Sequence, residues 1–187
     1  YFKDGFEGAK VVMSPPLRKK KDQEALWAAI NQNLIQHVAT DHCPFCMDQK
    51  AMGKDDFSKI PNGAPGIENR LELLYSEGVT KGRIGLNKFV EMTSTGAAKI
   101  FGLFPRKGTI AVGSDADIII FDPKTKHTIS ADTHHMNVDY NPYEGWEVQG
   151  KTRTTILRGT VAIDKGEAFV GEGFGKYLKR PPFNPRH

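Results

Sequence analysis

The run Val38-Ala39-Thr40-Asp41-His42-Cys43-Pro44-Phe45 carries the best single candidate for a chemical group in the sequence. A short β-rich segment, Val38 to Thr40, ends in Asp41, and Pro44 and Phe45 then turn the chain into a long polar loop. In an α/β barrel the reacting groups stand at the C-terminal ends of the strands, so a carboxylate in that place reads as catalytic or metal-binding. The plainer reading is an aspartate that caps a turn or accepts backbone N–H bonds. These eight residues alone leave both open.

Cys43 and Cys46 form a Cys-x-x-Cys pair, a spacing shared by redox dithiols and half zinc sites. No second pair and no His-x-His completes a structural site, so free thiols in a reducing compartment are expected. The six histidines stand at 37, 42, 127, 134, 135 and 187. His134 and His135 could pass for a metal pair, but adjacent side chains rarely point the same way, and they are not expected to be ligands.

These residues need elements to position them. Ala9 to Met13 reads as a short β-type run, stopped by Pro15 and Pro16, which forbid helix. From Asp22, a fitting cap, Ala25, Leu26, Ala29, Ile30 and Leu34 keep helical spacing to about Gln36. The strand ending at Asp41 would complete a βαβ unit and so a parallel sheet or barrel. A loop of more than twenty residues, His42 to about Gly66, holds the turn-forming Pro61-Asn62-Gly63, and loops of that length inside a domain are commonly functional. Helices are expected over Glu68 to Ser76, stopped by Gly78, and over Leu86 to Phe101, stopped by Gly102, with a kink or break at Thr93 to Gly96.

The pattern then turns to β. Strands are expected over Gly108 to Gly113 and Ala116 to Asp122, with a hairpin of Thr154 to Ala162 and Gly166 to Val170. His134 to Tyr143 reads as loop, and the proline-rich end from Lys179 as an arm laid on a neighbouring surface or a partner subunit.

With 39% hydrophobic and 26% charged residues, the 187-residue chain has an ordinary globular composition. It has no apolar run of the roughly eighteen residues a membrane span requires, and its start lacks a basic-then-apolar leader pattern, so a cytoplasmic protein is expected, without membrane partners. The formal charge of +4 lies in two short basic clusters without interleaved aromatics, which argues against nucleic acid as a partner. The absence of an initiating Met and the abrupt amphipathic start suggest part of a longer protein.

Two sets of motifs resemble a known family. Gly108-x-Ile110-x-x-Gly113-x-x-Ala116-Asp117, followed by an apolar strand and Asp122, resembles the C-terminal β-sandwich signature of the amidohydrolase superfamily. Ser14-Pro15-Pro16-Leu17-Arg18, Thr40 to Phe45, Asp56 to Gly63 and Thr133 to Asn141 are similar to the dihydropyrimidinase and D-hydantoinase group, in order along nearly the whole chain.

The resemblance implies an α/β fold: the last two strands and helices of a TIM-like (β/α)8 barrel over residues 1–104, part of a β-sandwich over 105–170, and an arm over 171–187. It implies hydrolysis of the cyclic amide of 5,6-dihydropyrimidines or hydantoins to N-carbamoyl amino acids. Two divalent metal ions, zinc by family habit, would be the cofactors, and a homotetramer the assembly. Asp41 takes the place of the family's metal-binding aspartate, which also shuttles the proton. Ser14 and Asn62 take the places that bind the ring, largely through backbone atoms, and Cys43 lines the pocket. His42 would make a supporting hydrogen bond. The family's other ligands, a His-x-His, two further histidines and a carboxylated lysine, are not in this sequence, so the piece alone is expected to be inactive. The rivals are the collapsin response mediator proteins, non-catalytic relatives that work as interaction proteins, and another cyclic amidohydrolase such as allantoinase or dihydroorotase. The retained Asp41-His42 argues against the first, and the Ser14 and Asn62 loops against the second.

Overall fold

The structure is a computed structural model that describes residues 5–180. The tail from Pro181 onward therefore lies outside the described residues, as do the first four.

Helix α1, Lys20–Asn31, begins two residues before the expected cap. Asp22 does serve the N-terminus, from the third helical position: its carboxylate accepts the Lys19 backbone N–H at 3.0 Å. The helix stops short of Gln36 because Asn33 takes a left-handed φ of 59°, which asparagine tolerates. Helix α2, Met47–Lys50, is a single turn inside the long loop, followed by short 3-10 turns at Ala51–Gly53 and Phe57–Lys59. Helix α3, Arg70–Leu74, widens into a π-helical stretch at Tyr75–Thr80, so Gly78 does not end it. Gly78 instead lies under Ile84 and Trp27, which a Cβ there would crowd at 3.0 to 3.1 Å. Helices α4, Leu86–Val90, and α5, Gly96–Ile100, are joined through a π-helical turn at Glu91–Thr95, where the irregularity is expected from the sequence.

Ile30, Leu74, Ile84, Phe89 and Met92 form the buried core of this helical part, with Trp27 and Leu71 packed against it. A four-stranded antiparallel sheet follows in the order β1 (Ile118–Thr128), β2 (Glu147–Leu157), β3 (Thr160–Asp164), β4 (Glu167–Ala168). Tyr75, Phe89 and Phe121 tie the two parts together, with ring centroids 4.9 to 5.9 Å apart, in the tilted and edge-on arrangements that aromatic quadrupoles favour.

Several expectations need correction. The run at Ala9 is a 3-10 turn, Glu7–Val11. Residues 35–46 form no helix and carry no ladder, because no neighbouring strand lies beside them among the described residues; neither expected barrel strand is thus a strand here. Residues 108–113 are turn and coil, where Arg106 and Lys107 pair with Asp115, and Lys107 also with Asp117. The sheet begins only at Ile118. Thr154 to Ala162 is two strands, since Arg158 and Gly159 at φ 49° and 79° make a two-residue turn whose left-handed conformations match the twist of a hairpin.

The part of the arm that is described lies on its own chain. The Arg158 guanidinium stacks on the Phe174 ring with 4.6 Å to the centroid and donates to the Phe174 carbonyl, and Arg180 stands 5.6 Å over Phe101.

Candidate active site

The run 35–46 is held by backbone and side-chain hydrogen bonds to several neighbouring segments. The Val38 N–H donates to the Met92 carbonyl at 3.0 Å, the Arg70 guanidinium donates to the Val38 carbonyl at 3.0 Å, and the Cys43 N–H donates to the Ala64 carbonyl at 3.3 Å. Gly96 lets helix α5 come up against this run, since a Cβ there would strike the Gln36 carbonyl. The run thereby delivers Asp41 at a φ of 48°. Asp41 is exposed, and no hydrogen bond or ion pair engages its carboxylate among the described residues. The turn-capping reading therefore has no support in the structure.

Asp41 lines a cavity of about 970 Å3 together with Ser14, Cys43 and Asn62. All four sequence-predicted site residues thus converge, from three segments of chain. The prolines after Ser14 and before Asn62 stiffen both loops. Gly63, at φ 145°, donates its N–H to the Val12 carbonyl at 3.0 Å and so joins the loop of Asn62 to the segment of Ser14. Among the described residues the backbone N–H and C=O groups of Ser14 and Asn62 make no hydrogen bond, which leaves a donor and an acceptor on each for a ligand.

His42 turns away from the cavity. Its Nδ1 accepts the N–H groups of Gly66 at 3.2 Å and Ile67 at 3.4 Å, as a supporting residue should. Because backbone amides can only donate, Nδ1 is unprotonated and Nε2 carries the hydrogen. Cys43 and Cys46 are free thiols. Cys46 starts helix α2, its N–H donating to Gln49 Oε1 at 2.8 Å, while Cys43 faces the cavity.

His134 and His135 point apart. His135 Nδ1 meets Glu68 at 2.7 Å, His134 Nε2 meets the Val138 carbonyl at 2.9 Å, and both line a second cleft away from Asp41. No group of three His, Cys, Asp or Glu side chains that could hold a metal occurs among the described residues. Asp41 has the exposure and the free oxygens of one ligand, and no group that could complete a metal site stands with it among the described residues.

Two features of the site lie outside the four residues that the sequence assigns to it, although Asp139 and Asn141 of the first belong to the Thr133 to Asn141 motif. One wall comes from the β part: Asn141 and Tyr143 line the cavity, and Asp139 accepts the Met47 N–H at 3.0 Å. The buried amide of Asn141 donates to Asn69 Oδ1 at 2.9 Å and anchors that wall. The other feature is Lys50, wholly buried, whose ammonium donates to the carbonyls of Val12 at 3.1 Å, Pro61 at 2.6 Å and Gly63 at 2.7 Å. Burial pushes its pKa down, partly offset by the nearby Cys43 sulfur.

The chain as a whole is similar to known proteins. The sequence profile of the Amidohydrolase family matches residues 7–162. The D-hydantoinase of Geobacillus stearothermophilus is 54% identical over 183 residues, 97% of this chain and 39% of that protein. The crystal structure of dihydropyrimidinase from Brevibacillus agri NCHU1002 superposes with a TM-score of 0.96 at 54% identity over 97% of this chain and 40% of that one. The L-hydantoinase (dihydropyrimidinase) from Arthrobacter aurescens superposes at 0.87 with 36% identity, covering 92% and 38%. The chain spans about two fifths of the length of each of these relatives. It belongs to the amidohydrolase family, and along nearly all its length it is similar to hydantoinases and dihydropyrimidinases.

Proposed function

We propose that this chain is the aspartate-bearing, ring-binding share of a hydrolase that opens the cyclic amide of hydantoins or 5,6-dihydropyrimidines to give N-carbamoyl amino acids. The observation that carries this reading is the convergence of Asp41, Ser14, Asn62 and Cys43 on one cavity. A cyclic imide presents alternating N–H and C=O groups, the complement of the uncommitted backbone groups of Ser14 and Asn62. Loops already stiff before binding lose little entropy on holding it.

In the reaction, water adds to the ring carbonyl carbon and the C–N bond breaks, leaving a carboxylate and a ureido nitrogen. That nitrogen leaves well only when protonated, and Asp41 would take the proton from the attacking water and pass it on. Two divalent metal ions, zinc being suited to a carboxylate ligand, would acidify that water and polarise the carbonyl when bound. Asp41 would hold one of them. The remaining ligands would come from protein beyond these 187 residues, so the chain alone is proposed to be inactive.

We place residues 1–104 in a TIM-like barrel, 105–170 in a β-sandwich and 171–187 in an arm, within a cytoplasmic homotetramer. The barrel and sandwich assignments are supported by large apolar side chains left open to solvent, among them Ile110 at 82% and Val112 at 109% exposure, which more protein would cover.

The test joins the chain to the upstream three fifths of the Geobacillus stearothermophilus D-hydantoinase and compares the product with the 187-residue chain. Hydantoin hydrolysis and about two bound metals in the joined protein, with neither in the chain alone, are expected. A joined protein that folds but binds no metal and hydrolyses neither hydantoin nor dihydrouracil would make the non-catalytic scaffold the better account.

A further inference from the structure

Lys50 is the one charged side chain of the described residues that is wholly buried, at 0% exposure, and no carboxylate pairs with it. Taking an ammonium out of water is costly unless its hydrogens are all bonded. Here they are: an ammonium has three N–H donors, and three carbonyls receive them. The Phe45 ring, 5.6 Å from Nζ, borders the same charge with its π-face.

The identity of the three acceptors matters more than their number. Val12 lies two residues before Ser14, and Pro61 and Gly63 flank Asn62. One point charge therefore grips the backbone next to both ring-binding residues, while Phe45 and Cys43 connect it to the segment that carries Asp41. An apolar side chain of the same volume would leave the Pro61 and Gly63 carbonyls without this donor. An arginine would not serve, because a planar fork cannot converge on three carbonyls around a point.

We propose that Lys50 is a positioning residue: by binding the Val12, Pro61 and Gly63 carbonyls together it sets the distance between the Ser14 and Asn62 backbones and aligns the bound ring with Asp41. This rests on the ring-opening reading above. The uncommitted groups of Ser14 and Asn62 face one ligand only while the two loops keep their separation, and a single backbone hydrogen bond, Gly63 to Val12, joins them beside the Lys50 ammonium. A shift of about 1 Å in such a pair can cost on the order of a hundredfold in rate.

The experiment uses the joined, relative-length protein and its Lys50→Met and Lys50→Gln variants, assayed with hydantoin well below their melting temperatures. Lys50→Met keeps most of the length and loses all three donors, whereas Lys50→Gln, of similar length to Met, has two. The expected result is a fall in kcat/KM of about 10- to 100-fold for Lys50→Met, with KM raised and kcat lowered, an intermediate fall for Lys50→Gln, and unchanged metal content in both. Parental kcat and KM in the folded variants, whatever their melting temperatures, would overturn the proposal. Hydrogen exchange at the Gly63 amide of the parent gives a measurement independent of variant folding. Protection like that of core helix amides before substrate is added supports a preset loop, and exchange at open-loop rates contradicts it. Failure of the parent to hydrolyse hydantoin would instead count against the ring-opening reading, and the exchange result would still decide whether the Asn62 loop is preset.

Discussion

The Tyr140 hydroxyl donates to the backbone carbonyl of Lys10 at 2.9 Å, joining the β part to the segment that leads into Ser14 across 130 residues of chain. Tyr140 is buried, and burial, reinforced by the Asp139 carboxylate, pushes its hydroxyl from 10.0 up to about 12. Replacing it by Phe leaves the Lys10 carbonyl without this partner, so Tyr140→Phe is expected to lower stability by about 1–2 kcal/mol in chemical denaturation.

The same hydroxyl makes a prediction in alkali. Its folded pKa lies above its unfolded one, so the stability it contributes is complete below pH 10 and is lost as pH rises toward about 12. The parent should therefore lose stability over that window more steeply than Tyr140→Phe. Equal slopes in pH-dependent denaturation would show that Tyr140 does not keep its proton in the folded chain.

Gly63 tests the rigidity of the ring-binding loop. Its φ of 145° and the Cys43 carbonyl, which a Cβ would strike, leave no room for a side chain. Gly63→Ala should cost roughly 3 kcal/mol in stability. In the joined protein it should also raise KM for hydantoin.

Ser14 offers the opposite outcome. If its backbone binds the ring, Ser14→Ala should change kcat/KM by less than about threefold, because the hydroxyl makes no hydrogen bond among the described residues. A loss of tenfold or more in steady-state kinetics would assign the hydroxyl a direct contact.

How far the sequence could be read depends on the range of the forces involved. Helices α1 and α4–α5, the left-handed end at Gly102 and the loop from His134 to Tyr143 follow from local periodicity and punctuation, and they are legible. Asp41, Ser14, Cys43 and Asn62, which line one cavity, can be grouped from the sequence only because their motifs resemble those of a family, since spacing alone does not join them. The strands expected at Ala9 and Val38 differ because a strand is a relation between two segments, and apolar β-branched residues supply only half of it. The turn at Arg158 escapes because a long cation, not Asn or Asp, occupies the left-handed position there. Lys50 escapes for a related reason: a lysine in a polar loop reads as solvated, and only the folded backbone shows three carbonyls closing on it.

The most direct test of the account is hydantoin turnover and metal content of the joined, relative-length protein, measured side by side for the parent and Asp41→Asn. Asn keeps the shape and tolerates the left-handed backbone but cannot shuttle a proton. The account predicts that the variant folds with a parental melting temperature, loses turnover by at least about a thousandfold and retains less metal. Near-parental turnover in Asp41→Asn would contradict the role given to Asp41 and, with it, the reading of the cavity.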